Sequence, residues 1–329
     1  MSKATEHNNV VIFDDRGIPS IMCRFERQKD ATETPAIFKI GEYMADAIYI
    51  SKYPNVIIKG RAYSLPMLDP VANVTFDVAV AACITKGEGW HLMTAVEWEY
   101  LLNQSREKDT MPHGNTDYGT DYYHKEEKAD CDGCGYGRSK TGSGPATWNH
   151  DNAIYGVSDL NGNVWEWLAG LRLLDGAIEY IPNNDAALTG CDLSRNSKEW
   201  QQLRTARGPV RVEVEAGEIT ITDRKAAEDY TPDYDGTRIA DLKIDLQEVP
   251  QALKDLGIVP DKRAESELKT YVYFDATEGE WLPIRGSSFI NTSYSGASAL
   301  ALYNPRSVSN DFVGFRSAFY EVNGKLITE

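Results

Sequence analysis

The chain has 329 residues, 42% of them hydrophobic and 10% aromatic, which is ample for a large packed core and leaves no long disordered tract. Its 50 acidic residues outnumber 34 Lys and Arg, and the resulting formal net charge of -16 excludes nucleic acid and anionic lipid as expected partners. Five scattered cysteines (Cys23, Cys83, Cys131, Cys134, Cys191) do not form the even, regularly spaced framework of a small secreted fold.

The opening from Met1 to Asp15 has no basic segment followed by an apolar one, so no secretory signal is read there. No apolar run is long enough to cross a bilayer. The expectation is cytoplasmic synthesis without membrane insertion, compatible with a virion component or a surface-displayed protein.

Residues 1–35 read as an N-terminal hairpin or extension: an apolar strand at Asn9–Phe13, a turn over Asp14-Asp15-Arg16-Gly17, and a second apolar piece from Ile18 to Phe25. The rest, 36–329, is expected to be one domain carrying an insertion at about 174–278. Ile37 to Ile50 suggests a strand leading into a short helix or turn. Asp77 to Cys83 is Ala-rich with helical spacing, Thr75 or Asp77 being the candidate cap. Cys83 in that apolar stripe reads as a buried small hydrophobe.

Thr94 followed three residues later by Glu97 predicts a capping box opening a helix, with Val96, Trp98, Tyr100 and Leu101 as its apolar face. Glu97 and Glu99 point in different directions on such a helix, so capping is the expected role of Glu97, not acid–base work. Residues 105–153 read as loops. Cys131 and Cys134 form a lone CxxC, and adding His113 and His124 matches no zinc spacing, so unligated thiols are expected. Asn161-Gly162 signals a tight turn before a buried strand from Val164 to Leu168. The oxygens of Asp159, Asn161, Asn163 and Glu166 would suit Ca²⁺, but a buried hydrogen-bond network is the plainer account.

Within the insertion, Val210–Val214 and Ile219–Thr222 alternate around a turn, a hairpin with one wet face. Ile239 to Ile258 suits an amphipathic helix bent near Pro250. The insertion is the expected assembly surface of a homo-oligomer.

The C-terminal stretch is the unusual one. From Ser287 to Phe312 there is no Lys, Glu, Gln, Trp or Met, types that make up roughly a fifth of an ordinary chain. Small polar residues fill it, with Phe289, Ile290, Tyr294, Tyr303 and Phe312 among them. Tyrosine supplies rigid contact area and Ser, Asn and Thr supply adaptable hydrogen bonds, a mixture suited to binding. Arg285-Gly286 precedes the stretch and Val313-Gly314-Phe315-Arg316 follows it.

Three segments together carry a family resemblance. Trp90 to Tyr100 (WHLMTAVEWEY), Asp159 to Trp167 (DLNGNVWEW) and the Arg285-Gly286 and Val313-Gly314-Phe315-Arg316 pair resemble the formylglycine-generating-enzyme (sulfatase-modifying-factor) version of the C-type-lectin fold. Weaker similarity covers Ile40 to Tyr53 and Asp69 to Cys83, and the insertion is not covered. Thr141 to His150 (TGSGPATWNH) resembles the stretch that precedes DLNGNVWEW in the variable proteins of diversity-generating retroelements. The implied fold class is α+β, C-type-lectin-like, mixed with much irregular structure and an inserted hairpin and helix segment.

That resemblance implies a function by what is present and what is missing. The family's cysteine-oxidising enzymes place a reactive cysteine pair near the C-terminal GFR motif, whereas no cysteine follows Cys191 here. Its iron-dependent sulfoxide synthases need a histidine triad, and His7, His91, His113, His124 and His150 hold no pair at helical ligand spacing. In the variable proteins, template adenines are replaced at random while the 3′ end of the gene is copied. An AAC or AAT codon mutated in this way never encodes Lys, Glu, Gln, Trp or Met, the five types missing here.

The expectation is therefore a non-enzymatic binder of a protein or cell-surface ligand that differs between variants, without cofactor or metal. Its exposed variable face, within about 287–312, would comprise Phe289, Ile290, Asn291, Tyr294, Ala301, Tyr303, Asn304, Val308, Asn310, Asp311 and Phe312. Leu300 and Leu302 would be the constant core face of a strand whose outer face carries Ala301 and Tyr303. The competing readings are a formylglycine-generating-type oxidase without the usual cysteine pair and a fixed lectin-like structural module.

Overall fold

The computed structural model describes residues 8–326. Met1 to His7, including one of the five histidines and the start of the expected N-terminal hairpin, and the last residues 327–329 lie outside the described part. Among the described residues, two large irregular sheets, two small two-stranded ones and few helices make a mixed α+β fold.

The first sheet begins with the predicted hairpin. Asn9–Phe13 pairs antiparallel with Pro19–Glu26 across the Asp14–Gly17 turn, where Asp14 Oδ1 accepts from the amides of Arg16 and Ile18. Pro19–Glu26 then pairs with Ala47–Ser51, which pairs with Ser317–Val322, so the two ends of the chain share one sheet. Between them, where a strand leading into a short helix or turn is expected, the short strand Lys39–Ile40 does lead into a turn, but no helix follows and a longer strand does. Ala36–Phe38 is a 3-10 turn, Lys39–Ile40 and Tyr43–Met44 form a small hairpin, and the strand comes last. The β-branched and aromatic residues of Ala47–Ser51 are buried on both faces, which favours strand over helix there.

Both helices expected in the first third are present. Phe76–Ile84 is capped by Thr75, whose hydroxyl accepts from the Val78 amide at 3.3 Å, and Cys83 is buried. Ala95–Lys108 opens on the Thr94/Glu97 capping box, both halves of which are made, at 3.1 and 2.9 Å. Glu97 is fully buried and also accepts from Asn184, while His91 Nε2 lies 2.8 Å from it.

The second, larger sheet runs in the order Tyr234–Arg238, Tyr271–Asp275, Leu300–Asn304, Glu280–Arg285, Leu171–Leu174, Ala177–Tyr180, Arg211–Glu215, Glu218–Thr222, Lys243–Asp245. Strands from within 174–278 thus stand at both ends of the sheet, and the C-terminal strands lie between. The predicted hairpin is present, Val212 and Val214 turning inward as the alternation requires. The predicted amphipathic helix over Ile239–Ile258 is a correction. Ile239–Asp241 is a single 3-10 turn, Lys243–Asp245 is a strand parallel to Glu218–Thr222, and the α-helical part is Gln251–Asp255, directly after Pro250. Proline cannot donate to a preceding turn and disfavours helix in the residue before it, so a helix starts there and does not pass through.

Candidate binding surface

Two buried arginines bracket the C-terminal stretch. At its far end, Arg316 is fully buried and its Nε donates to Glu166 Oε2 at 2.6 Å, its Nη2 to Glu166 Oε1. The remaining hydrogens reach the carbonyls of Ser51, Ser158 and Asp159. At its near end, Arg285 is equally buried but, among the described residues, donates only to the Leu256 carbonyl, at 2.9 Å, and its Nε and Nη1 have no partner there. Burial pushes its guanidinium down to about 10. Gly286 follows with φ of +91°, and a Cβ there would lie 2.7 Å from the Leu160 carbonyl oxygen, so only glycine makes this corner.

The segment Asp159–Trp167 supports both ends. Its strand Trp165–Trp167 pairs with Glu280–Arg285 on one side and Val313–Phe315 on the other. The oxygens considered for Ca²⁺ are engaged within the protein. Glu166 holds Arg316, Asp159 Oδ2 accepts from the Gly142 amide at 2.7 Å, and Asn163 Oδ1 accepts from the Ser139 amide at 2.9 Å. Among the described residues, no three His, Cys, Asp or Glu side chains are grouped to hold a metal ion. His113 and His124, weighed with the CxxC, instead stack on each other at 3.8 Å and line a polar cleft of about 280 Å³ together with Ser295 and Ser298.

Between the arginines, the main chain of the stretch is bonded to residues outside it, and the Arg306 side chain adds bonds to Glu280, Asp77 and the Leu193 carbonyl. The Phe289 amide donates to the Asn163 carbonyl and the Phe289 carbonyl accepts from the Tyr118 amide; the Thr292 amide donates to the Thr116 carbonyl. Farther on, the Asn310, Asp311 and Phe312 carbonyls accept from the Asn73 amide, Arg138 Nη1 and the Trp165 amide. Every partner in these bonds lies outside 287–312.

The expected exposed face divides on inspection of its side chains. Ile290 and Tyr294 are 40% and 46% exposed, Asn310 and Asp311 are exposed, and Asn291, Tyr303, Val308 and Phe312 are half-buried. Phe289, Ala301 and Asn304 are buried, which corrects the expectation that they face solvent. Phe289 packs edge-on to Tyr118 and against the backbone of Gly137. Ala301 lies in a core cluster roofed by Tyr273 and Tyr303, and Asn304 Nδ2 turns back to the Ala301 carbonyl at 3.2 Å. Leu300 and Leu302 do face the main core. The strand therefore has two dry faces, one beneath the tyrosines, and alternation alone could not distinguish that from one wet face.

The residues that sequence reasoning missed are aromatic and lie outside the stretch. Tyr294 packs edge-on to Tyr271 at 4.4 Å, Tyr271 neighbours Tyr273, Tyr273 reaches Tyr303, and Tyr303 reaches Tyr234. The continuous row joins two positions of the C-terminal stretch through three of the preceding segment. Its signal was available in Tyr271-Val272-Tyr273-Phe274, where tyrosine recurs with the period of a strand. Of the five thiols, Cys23 and Cys83 are buried and Cys131, Cys134 and Cys191 are half-buried. Burial raises Cys23 and Cys191 to about 12 and Cys134 to about 11, and also raises Cys83 and Cys131, the reverse of what an activated thiolate needs.

Comparison with known proteins places these features in context. The sulfatase-modifying factor enzyme 1-like domain matches residues 58–241, more than half of the chain. An inactive C-alpha-formylglycine-generating enzyme 2 of Mus musculus is 33% identical over 122 residues, 33% of this chain and 37% of that protein. The chain thus spans little more than a third of the length of that curated relative. PvdO from Pseudomonas aeruginosa superposes with a TM-score of 0.40 at 14% identity, over 97% of this chain and 100% of that one. Variable protein 1 of Treponema denticola superposes with a TM-score of 0.34 at 12% identity, over 94% of this chain and 98% of that one. No helix among the described residues is long and apolar enough to cross a membrane.

Proposed function

The chain belongs to the sulfatase-modifying factor enzyme 1-like domain family, and we propose that it uses that scaffold as a non-enzymatic receptor-binding protein whose C-terminal surface is diversified by adenine-directed mutagenic retrohoming. The observation that carries the proposal is the main-chain anchoring of the stretch to residues outside it. Where peptide groups anchor the backbone, side chains exposed beyond them can be exchanged without releasing it; Asn291 differs, its Oδ1 accepting from the Ser288 amide and hydroxyl. The absence of Lys, Glu, Gln, Trp and Met between Ser287 and Phe312 supports the same reading. Ile290, Asn291, Tyr294, Tyr303, Val308, Asn310, Asp311 and Phe312 form the accessible part of this face. Phe289, Ala301 and Asn304 shape it from beneath.

The ligand is a protein or cell-surface group that differs between variants, met by a virion or a displayed surface. The segment 174–278 provides the candidate contacts between copies of the chain. No cysteine follows Cys191, and the thiols present are shifted away from reactivity, which supports binding over oxidation.

Nucleotide sequence tests the diversification. The expected result is a near-copy of the 3′ end, differing only at adenines and lying beside a reverse-transcriptase gene, with sister isolates diverging at the exposed positions. An invariant C-terminus across isolates would overturn it. Purified protein with copper and a sulfatase-motif peptide should yield no formylglycine; its appearance would restore the oxidase reading.

A further inference from the structure

The tyrosine row is composite. Tyr294 and Tyr303 lie in the stretch taken above to vary, but Tyr234, Tyr271 and Tyr273 lie outside it, on strands that pair with one another and then with Leu300–Asn304. The register puts Tyr234 opposite Asp275, Gly236 opposite Tyr273, Arg238 opposite Tyr271, and Tyr273 beside Ala301, so all these residues share one face of the sheet. Gly236 has a visible purpose there. A Cβ at that position would lie 2.2 Å from the Tyr273 ring, so the ring lies down on bare backbone and the row stays low and continuous.

Some rings elsewhere carry one of the molecule's own cations. Lys125 Nζ lies 4.7 Å from the Tyr122 ring, Lys269 Nζ 3.3 Å from Tyr123, and the Arg172 guanidinium 4.5 Å from Trp200. Among the described residues, none of the five tyrosines of the row has a Lys or Arg over its ring. Carboxylates stand at one end. Asp275 is engaged by the Thr277 amide and hydroxyl, and Asp233 by the Tyr234 amide, but neither pairs with a cation among the described residues. Burial, together with the nearby charges of Asp235 and Asp275, raises the Tyr234 phenol. Arg238 and Lys269 stand at the opposite, Tyr271 end. The field along the row therefore draws a positive group away from Tyr271 and towards Tyr234, Tyr273 and Tyr303.

We propose that Tyr234, Tyr273 and Tyr303, with Asp275 beside them, form a cation subsite that takes an arginine or lysine side chain of a protein partner. A guanidinium over tyrosine faces gains from the ring quadrupoles, and an unpaired carboxylate at the edge adds direct charge attraction. The acidic surface as a whole, at -16, favours the same class of partner and speeds its encounter. The subsite rests on the reading of this face as the binding surface. It adds a division of labour: most of its rings are constant and supply affinity, and the exchangeable residues around it select the partner.

The test uses the full chain labelled with ¹³C in the tyrosine rings and titrated with N-acetylarginine amide, with N-acetylcitrulline amide as the neutral isostere. Single Tyr→Phe variants assign the signals. Arginine amide should shift the rings of Tyr234, Tyr273 and Tyr303 saturably and citrulline amide should not. Asp275→Asn should weaken the titration about fivefold. Tyr273→Phe should retain binding, because the ring remains, and Tyr273→Ala should lose it while the melting transition stays cooperative. Equal shifts with citrulline amide would overturn the subsite, as would arginine shifts centred on the exposed Tyr43 and Tyr136. Locus sequencing is independent of this result: an invariant C-terminus beside a positive titration removes diversification and keeps the subsite, and a varying C-terminus beside a negative titration does the reverse.

Discussion

Arg285 and Arg316 are the two ends of one device, and they are built differently. Both are fully buried. Arg316 gives its donors to a carboxylate and three backbone carbonyls. Arg285 rests on one carbonyl, of Leu256, and carries two nitrogens without partners among the described residues. A buried charge with a full set of partners is costly to break and gives a unique geometry, whereas one without them is a cost that the surrounding packing must offset. The far end of the binding stretch is therefore locked by polar chemistry. The near end is positioned by shape, by the Gly286 corner and by the segment after Pro250.

The largest effect should come from breaking the locked end. Arg316→Met leaves Glu166 buried without its partner and should cost about 3–5 kcal/mol, read as the shift in urea midpoint. Arg285→Met should cost about 1 kcal/mol or less, because one hydrogen bond is lost and two orphaned donors are removed. Equal losses in the two variants would remove the distinction between the ends.

Phe289 tests how far the near end depends on shape. It is 2% exposed, and Phe289→Ala should cost about 3 kcal/mol through the cavity left against Tyr118. A loss below about 0.5 kcal/mol would make it a freely exchangeable position after all.

A third buried cation extends the comparison to pH. Lys86 has no carboxylate partner among the described residues; its Nζ donates to Ser20 Oγ at 2.7 Å and lies 3.2 Å from the Trp90 ring. Burial lowers it from 10.5 to about 7. Its folded pKa is thus below its unfolded one, so its stability contribution is full above about pH 10.5 and is lost as pH falls through that window to about 7. Unfolding midpoints should rise from pH 7 towards pH 10, and Lys86→Met should flatten that rise and add about 1–2 kcal/mol at pH 7. An unchanged slope in the variant would assign the pH dependence to other groups.

The smallest effects belong to the open part of the stretch. Ile290→Ser and Asn310→Ala should each move the midpoint by no more than about 0.5 kcal/mol, since neither side chain is buried. If either matched Phe289→Ala, the division between exchangeable and supporting positions would fail.

Legibility followed the range of the interactions. The Thr94/Glu97 capping box, the Thr75 cap and the Asp14–Gly17 turn were readable because each is closed by atoms a few residues apart. Ile239–Ile258 was misread because apolar residues at roughly helical spacing also fit a strand and a short helix separated by Pro250. At the binding surface, Ile290, Tyr294, Asn310 and Asp311 lie open as their polar and aromatic neighbourhood suggested. Ala301 and Asn304 did not, because strand alternation says which side a residue faces and not whether another layer covers that side.

The sequence by itself determined the helix starts at Thr75 and Thr94, the Asp14–Gly17 turn, the family scaffold and the compositional gap between Ser287 and Phe312, all properties of neighbouring residues or of residue counts. Only the tertiary structure decided that Arg316 finds Glu166 across 150 positions, that Arg285 finds almost nothing, and that Tyr234, Tyr271 and Tyr273 join Tyr294 and Tyr303 in one row. The reason is physical: a side chain's type sets what it can bind, but burial and partnership depend on which distant strands the sheet brings beside it.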